Sequence, residues 1–375
     1  MASLLESITN IFSSAHKGST VGIDIGAASI KVVEIEKVEE KAVLRNYGEL
    51  ALGPRAGFGI GQATNLTPEK LAEALRDLLH EMGTSSQHTV FAIPFSASLL
   101  SVVELPDVAT KELESMIPLE ARRYIPVPIT EVALDWWVLP KRKMEQNSKT
   151  TPDGTPLPLG KVEVIIAAIH NEVIKKYETI KRDAQIPGGA AHFEIEIFST
   201  LRAIVGRDLS PIIVVDMGAG STKLALIDEG VVRGSHIINM GGQDITLSLS
   251  KSMGLSFAQA EEMKCRAGIL GDDDGRDVAA VGELILSNIM NESVRFMENY
   301  ENKHNTTIKK VVLVGGGARL KGIEKVVSQK FPQASVSVGN PFSRLETPTF
   351  LDPTIREMSP DFAVAIGLAL KGLEE

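Results

Sequence analysis

The chain carries one cysteine, Cys265, in 375 residues, so no disulfide can form within it, and its 7 histidines are scattered singly. These two scarcities leave almost no ligands for a structural zinc site, and a lone thiol suits a reducing cytosol. No apolar run approaches the roughly 18 residues that a membrane-spanning helix needs. Basic charge is short as well. With 39 Lys and Arg against 48 Asp and Glu, the net charge is −9, and no basic tract offers itself to phosphates, which argues against nucleic acid as a partner. What remains is 43% hydrophobic and 23% charged residues over a length that suits two or more domains. That is a globular chain able to bury a core.

Its outline is alternating strands and helices. Leu4, Leu5, Ile8, Ile11 and Phe12 share one face of a short leader helix between Ala2 and Ser14, without the n-region or cleavage site of a signal peptide. Apolar strands follow at Val21–Ile25, Ile30–Ile35, Val90–Pro94, Val162–Ala168, Phe193–Phe198, Pro211–Asp216 and Val311–Val314. Thr67-Pro68-Glu69 begins a helix that runs to about Glu81, with Gly83 past its end. Further helices fall at Thr110–Arg123, Glu172–Ala184, through the block Gln243–Asn302, and at Phe362–Leu370. Arg45–Leu66 reads as a Gly-rich loop and Lys141–Gly160 as a long exposed one. Of Trp136-Trp137, one ring turns to the core and one outward if the segment is a strand. The run Asp272-Asp273-Asp274 has no EF-hand spacing and reads as a solvated loop. The class is α/β with mixed sheets.

The chemistry lies in three glycine-rich stretches. Asp24-Ile25-Gly26-Ala27-Ala28-Ser29-Ile30-Lys31 and Asp216-Met217-Gly218-Ala219-Gly220-Ser221-Thr222-Lys223 are one design used twice. In each, an acid ends an apolar strand, small residues turn, and a hydroxyl residue and a lysine follow. Small residues let backbone N–H groups approach phosphate oxygens, the hydroxyls add donors and the lysine adds charge. Asp24 and Asp216, ionised at pH 7 if unperturbed, suit Mg²⁺ held through water better than proton transfer. The third stretch, Gly315-Gly316-Gly317-Ala318-Arg319-Leu320, follows a buried strand and leads into a helix from about Lys321; it suits close backbone approach to a flat base or sugar, or to an α-phosphate at a helix N-terminus. Any one of these alone is an ordinary turn. Two Asp-Gly hairpins followed by a strand and three glycines form a far more specific set, and neither a P-loop nor a Rossmann fingerprint competes with it.

On these residues the chain resembles the actin, Hsp70 and sugar-kinase superfamily of actin-like ATPases. The resemblance implies a two-lobed actin-like ATPase fold with ATP and Mg²⁺ in the cleft. Ala260-Glu261-Glu262-Met263-Lys264 looks like the helix whose Glu and Lys, here Glu261 and Lys264, contact the nucleoside in bacterial relatives; alone it would read as a surface helix with an i, i+3 pair. Leu105-Pro106-Asp107, Glu120-Ala121-Arg122-Arg123-Tyr124-Ile125-Pro126-Val127-Pro128 and Glu131-Val132-Ala133-Leu134-Asp135 are similar to the inserted subdomain of the PilM family, cytoplasmic actin-like proteins of type IV pilus assembly. The related FtsA family of cell division has an insertion at the same place without the Tyr-Ile-Pro-x-Pro run, and a membrane-targeting C-terminal helix unlike the end of this chain, Leu370–Glu375.

The resemblance implies a leader helix over 1–19, then subdomain IA over 20–88, 169–206 and 355–375, with an FtsA-type inserted subdomain IC over 89–168. Subdomain IIA spans 207–245 and 305–354, and IIB spans 246–304. It further implies an ATP-binding scaffold that captures the cytoplasmic N-terminal peptide of the inner-membrane protein PilN and links it to the pilus motor and other pilus proteins. The location expected is cytoplasmic, peripheral at the inner membrane through PilN, with at most slow ATPase activity. Ala27 and Ala28 replace side-chain hydroxyls common in relatives, which weakens the grip or slows hydrolysis. Glu194 and Glu196, in a strand expected to cross between the lobes, are the weak candidates for orienting an attacking water. Against this scaffold stands a filament-forming ATPase like FtsA or the rod-shape actins, which sedimentation with ATP would separate. A small-molecule kinase lacks an evident sugar site here, and an Hsp70-type chaperone lacks its substrate-binding domain.

Overall fold

The computed structural model describes residues 18–84, 86, 88–141, 160–188, 192–269 and 276–374; the leader helix, most of the loop expected at Lys141–Gly160 and the Asp272-Asp273-Asp274 run lie outside these. From Ser19 the chain forms an antiparallel meander of β1 (Ser19–Ile25), β2 (Ser29–Val38) and β3 (Lys41–Ala51). Val21, Ile23 and Ile25 are buried, as a central strand requires. Strand β3 occupies Arg45–Ala51, where the sequence reading expects loop. Its polar residues fit there because β3 is an edge of the sheet, half-exposed along its length. Helix α1 (Pro68–Met82) begins with Pro68 after Thr67 and stops where Gly83 turns left-handed at φ 63°; it buries Leu71, Ala74, Leu75 and Leu78.

Strand β4 (His88–Ile93) runs parallel beside β1. It is therefore part of the first sheet, and the inserted unit begins after Ile93 rather than at Thr89. That unit is β5 (Ser98–Pro106), α2 (Thr110–Ala121), β6 (Val132–Val138) and β7 (Lys161–His170), forming an antiparallel sheet of order β5-β7-β6. Helix α2 covers one face, packing Leu113 and Ile117 on Val103, Val164 and Ile166, with Trp136 beside them. Trp137 points to the other face and meets Phe198, ring centroids 5.2 Å apart. Both rings are packing residues. Helix α3 (Asn171–Asp183) leads back to β8 (His192–Ile195), which completes the order β3-β2-β1-β4-β8. The strand expected over Phe193–Phe198 stops at Ile195. The alternation Phe-Glu-Ile-Glu-Ile has a period of two, yet α4 (Glu196–Ile204) starts at the second glutamate, whose carboxylate takes partners at that helix end.

The second lobe repeats the first. Strands β9 (Ile212–Met217), β10 (Thr222–Asp228) and β11 (Val231–Ile238) form the meander; helices α5 (Gly242–Met253), α6 (Phe257–Ala267) and α7 (Arg276–His304) follow. Strand β12 (Lys310–Val314), α8 (Ile323–Lys330) and β13 (Ser335–Val338) complete a sheet of order β11-β10-β9-β12-β13. With β9 standing for β1, strand order and directions are the same, antiparallel in the meander and parallel beyond it. The return to the first lobe comes earlier than the expected 355: Phe342 and Leu345 already pack on Val33 and Ile35 of β2. After α9 (Asp352–Met358), α10 (Ala363–Glu374) lies across β1 and α4. Two glycines permit that crossing. A Cβ on Gly22 would stand 2.0 Å from the Ala365 carbonyl oxygen, and one on Gly367 would stand 1.8 Å from that of Ser199.

Candidate functional site

Between the two sheets lies a cavity of about 840 Å³. Every residue expected in the site lines it except Thr222 and Glu194. The two hairpins share one geometry: Gly26 N donates to Ser29 O at 3.0 Å, and Gly218 N to Ser221 O at 3.0 Å. Asp24 stands opposite Lys31 across β1 and β2, and Asp216 stands opposite Lys223 across β9 and β10. Among the described residues the amides of Ala27, Ala28, Ala219 and Gly220 have no acceptor of their own, which leaves them for a ligand's oxygens. The second hairpin is braced from behind, as Gly242 N and Gln243 N at the start of α5 donate to Gly218 O and Ala219 O, each at 2.9 Å.

Side-chain alternation along β10 sends Ser221 and Lys223 to the cleft and Thr222 away from it. Thr222 is fully buried and its hydroxyl donates to Met240 O at 2.9 Å. Glu194 also faces elsewhere. It accepts from Ser199 and from both terminal nitrogens of Arg202, and these partners hold its carboxyl below the usual range against the effect of burial. Glu196 does line the cavity, with one oxygen accepting from Phe95 N at 2.6 Å and the other from Lys223 Nζ at 3.0 Å.

Charge at the cavity floor departs from the expectation of ordinary ionised acids. Burial, and next the charge of Glu196, push Asp24 up from 3.8 to about 7, even against Lys31 and Lys223. Burial pulls Lys223 down, but Asp216, Glu196 and Asp24 outweigh it and hold the ammonium above its usual range. Lys31 is likewise raised, its burial outweighed by Glu49 and Asp361; it donates to Ser29 Oγ at 2.8 Å and sits 3.3 Å from Glu49. Among the described residues no cluster of three or more His, Cys, Asp or Glu could hold a metal alone. Two separate carboxylates, Asp24 and Asp216, at the ends of the two hairpins are donors a largely hydrated Mg²⁺ can use through water, so the donor set fits that ion.

Elsewhere in the cavity lining, Lys264 is buried and donates to Glu261 at 2.7 Å, Thr246 Oγ1 at 2.9 Å and Gly242 O at 3.2 Å. Thr246 Oγ1 in turn donates to Glu261 at 2.5 Å. Lys264→Met strips Glu261 and Thr246 of this donor. We expect roughly tenfold weaker nucleotide binding in a fluorescence titration and about 1–3 kcal/mol lower stability in urea; unchanged values of both would show the triad to be idle.

After β12, Gly315 turns left-handed and residues Gly316–Arg319 form a 3-10 turn, so the helix expected from Lys321 begins only at Ile323. Sequence reasoning missed Glu49, Gln243, Arg319 and Asp361, all of which line the cavity. Arg319 donates to Asp361 at 2.9 Å and to Glu357 at 3.3 Å. Asp361 Oδ1 is buried without a partner, and burial raises its carboxyl. Gln243 Oε1 accepts from Ala63 N at 3.2 Å, which ties the loop after β3 across to the second lobe.

Over residues 22–373 the sequence matches the family described as Type IV pilus assembly protein PilM. Among solved structures, a chain of the PilM-PilN type IV pilus biogenesis complex is similar with a TM-score of 0.77 at 25% identity, over 96% of this chain and 100% of that one. MreB 5 of Spiroplasma citri bound to AMPPNP is similar in fold, with a TM-score of 0.51 at 14% identity over 95% of this chain and 96% of that one. The cell division protein FtsA of Agrobacterium fabrum is 21% identical over 235 residues, 55% of this chain and 52% of that protein; FtsA of Escherichia coli K12 is 26% identical over 189 residues, 43% of each. The chain spans about half the length of the curated relatives it matches. The architecture is thus the two-lobed actin-like ATPase fold with an inserted subdomain in the first lobe.

Proposed function

The chain belongs to the Type IV pilus assembly protein PilM family, and from that premise we propose that it is a cytoplasmic nucleotide-binding scaffold that captures the N-terminal peptide of the inner-membrane protein PilN. One observation carries the reading: likeness along nearly the whole chain to a protein solved as a PilM-PilN complex. The inserted subdomain bears much of the peptide groove, where an extended segment adds to apolar strands. Attachment to the inner membrane is indirect, through PilN, and the scaffold passes that link on to the cytoplasmic motor. No helix among the described residues is long and apolar enough to cross a membrane.

ATP is the nucleotide this cleft suits. The free amides of the two hairpins would hold its phosphates, Lys31 and Lys223 would balance their charge, and Asp24 and Asp216 would hold Mg²⁺ through water. Glu261, Lys264 and the Gly315–Leu320 turn would take the nucleoside. Bound Mg²⁺ would supply charge neutralisation between phosphate oxygens. Turnover is slow at most, because Glu196, the acid best placed beside the hairpins, has both oxygens occupied by Phe95 and Lys223. The nucleotide then acts by setting how the lobes sit relative to each other.

The test is a titration of a labelled PilN N-terminal peptide into the full chain with MgATP, followed by anisotropy. We expect saturable binding that is lost when the peptide is scrambled. A folded, nucleotide-loaded protein that ignores the peptide but pellets with ATP would overturn the scaffold in favour of a filament former.

A further inference from the structure

The inserted subdomain is held by the second lobe as well as by the first. Phe95 opens the short turn Phe95–Ala97 that leads straight into β5, and so forms the root of the inserted unit. Its N–H donates to Glu196 Oε1 at 2.6 Å, while Glu196 Oε2 accepts from Lys223 Nζ at 3.0 Å. Lys223 pairs across the hairpin with Asp216. A single buried carboxylate thus joins the second-lobe hairpin to the inserted subdomain. Around it Phe95, Ala167, Ile197, Val214 and Ala225 form one apolar cluster, drawn from the inserted unit, α4 and the second sheet.

A second contact runs from β11 to β7. Between β10 and β11 the register slips: Leu226 faces Gly234 and Ile227 faces Val232, which leaves Arg233 as the extra residue of a bulge. A bulge re-aims a side chain. Here it sends the Arg233 guanidinium, 0% exposed, onto the inserted subdomain, 2.7 Å from Glu163 on β7 and 2.8 Å from the Pro140 carbonyl oxygen. Val232 packs beside it on Leu139 and Ile165. A guanidinium taken wholly out of water is costly to strip of its partners, so this contact stays closed.

We propose that Glu196 is a positioning residue that transmits nucleotide occupancy from the second-lobe hairpin to the inserted subdomain, with the Arg233–Glu163 contact as the pivot. The proposal rests on the scaffold reading given above. Lys223 lines the cavity, so a polyphosphate seated between the hairpins shares its ammonium with Glu196 and loosens that end of the link. Glu196 then keeps Phe95 as its remaining strong partner, and the turn ahead of β5 re-seats. Peptide affinity becomes nucleotide-dependent, and by linkage the peptide changes nucleotide affinity by the same factor.

The decisive measurement is amide hydrogen exchange over residues 93–101 of the full chain, with and without saturating MgATP. In the parent protein we expect exchange at Phe95 to change about fivefold or more. In Glu196→Gln, which keeps an acceptor for Phe95 and sets an NH₂ group against Lys223, the change should shrink below about twofold. No nucleotide effect in the parent, or an equal effect in E196Q, overturns the proposal. In parallel, the ratio of PilN peptide affinities with and without MgATP should fall from about fivefold toward one in E196Q. If the parent binds no peptide in either state, the scaffold reading falls while hydrogen exchange still decides the coupling.

Discussion

Asp24→Asn should raise the unfolding temperature of the nucleotide-free protein at pH 8 by roughly 2–4 °C while removing most of its Mg²⁺-dependent nucleotide affinity. The two effects have one cause. In the folded chain burial and the nearby Glu196 carboxylate push Asp24 from 3.8 up to about 7. Between those values the folded state keeps a proton that the unfolded state has released, so stability falls as pH rises through that window and stays reduced above it. The full difference corresponds to about 4 kcal/mol; water reaching the open cleft screens the carboxylate and brings this to about 1–2 kcal/mol. Asparagine carries no charge to bury. Its advantage should be absent near pH 4, grow up to pH 7 and level off beyond. Calorimetry of both proteins across pH 4–9 gives the curve, and a pH-independent difference would remove Asp24 as the cause.

The same substitution removes a carboxylate from the site proposed for Mg²⁺. Losing one such water-mediated anchor weakens metal binding by about 10–100-fold. The parent should therefore gain far more thermal stability from MgATP than from ATP with EDTA, and D24N should gain nearly the same from both. A folding cost borne at the site where ligand charge arrives is the usual trade between stability and function. D24N retaining the parent's affinity for MgATP would refute the metal role.

How much of this was legible beforehand depends on whether a residue's role is local. The hairpins could be read because Asp-x-Gly, two small or glycine positions and a hydroxyl recur in one order at Asp24 and Asp216, and the backbone itself carries their geometry. Helix α1 announced itself through Thr67, Pro68 and Gly83. Glu49 and Asp361 had no such signal. Glu49 belongs to an edge strand that reads as polar loop, and Asp361 acquires its burial only when the turn Ser359–Phe362, ahead of α10, comes against Gly315, whose N–H donates to Pro360 O. Arg319 does stand within the glycine motif, and its position beside three glycines was the one available hint. Glu194 and Glu196 show the limit of periodicity: the alternation was real, but it spans a strand end and a helix start, and the two acids serve different neighbours. The boundary of the inserted unit shifted for a similar reason, since only pairing with β1 assigns His88–Ile93 to the first sheet.

Within the triple glycine, the three positions should respond very differently to substitution, and Gly315→Val should be the most damaging change in the cleft. Gly315 has φ 78°, where a β-branched residue is strongly disfavoured. A Cβ there would stand 2.4 Å from Asp216 Oδ1 and 2.7 Å from the Met217 carbonyl oxygen. Relief requires β9 to move, and with it the hairpin that follows Asp216. The Gly315 N–H also donates to Pro360 O at 2.9 Å, so the joint between the lobes is disturbed as well. Backbone strain and overpacking together should cost about 3–5 kcal/mol, and nucleotide affinity should fall more than about 100-fold with the displaced hairpin. Gly316→Ala is the control. Its φ is not left-handed and its Cβ would meet only Asp361 Oδ1, at 3.3 Å, so it should lie within about 1 kcal/mol of the parent. Gly317→Ala should fall between, because its Cβ would come within 2.6 Å of the Met217 Cβ. Urea unfolding and nucleotide titration of the three variants test this order. Equal losses at all three positions would mean that the glycines serve only loop flexibility; the gradient expected here would mean that Gly315 exists to let the backbone pass beside Asp216.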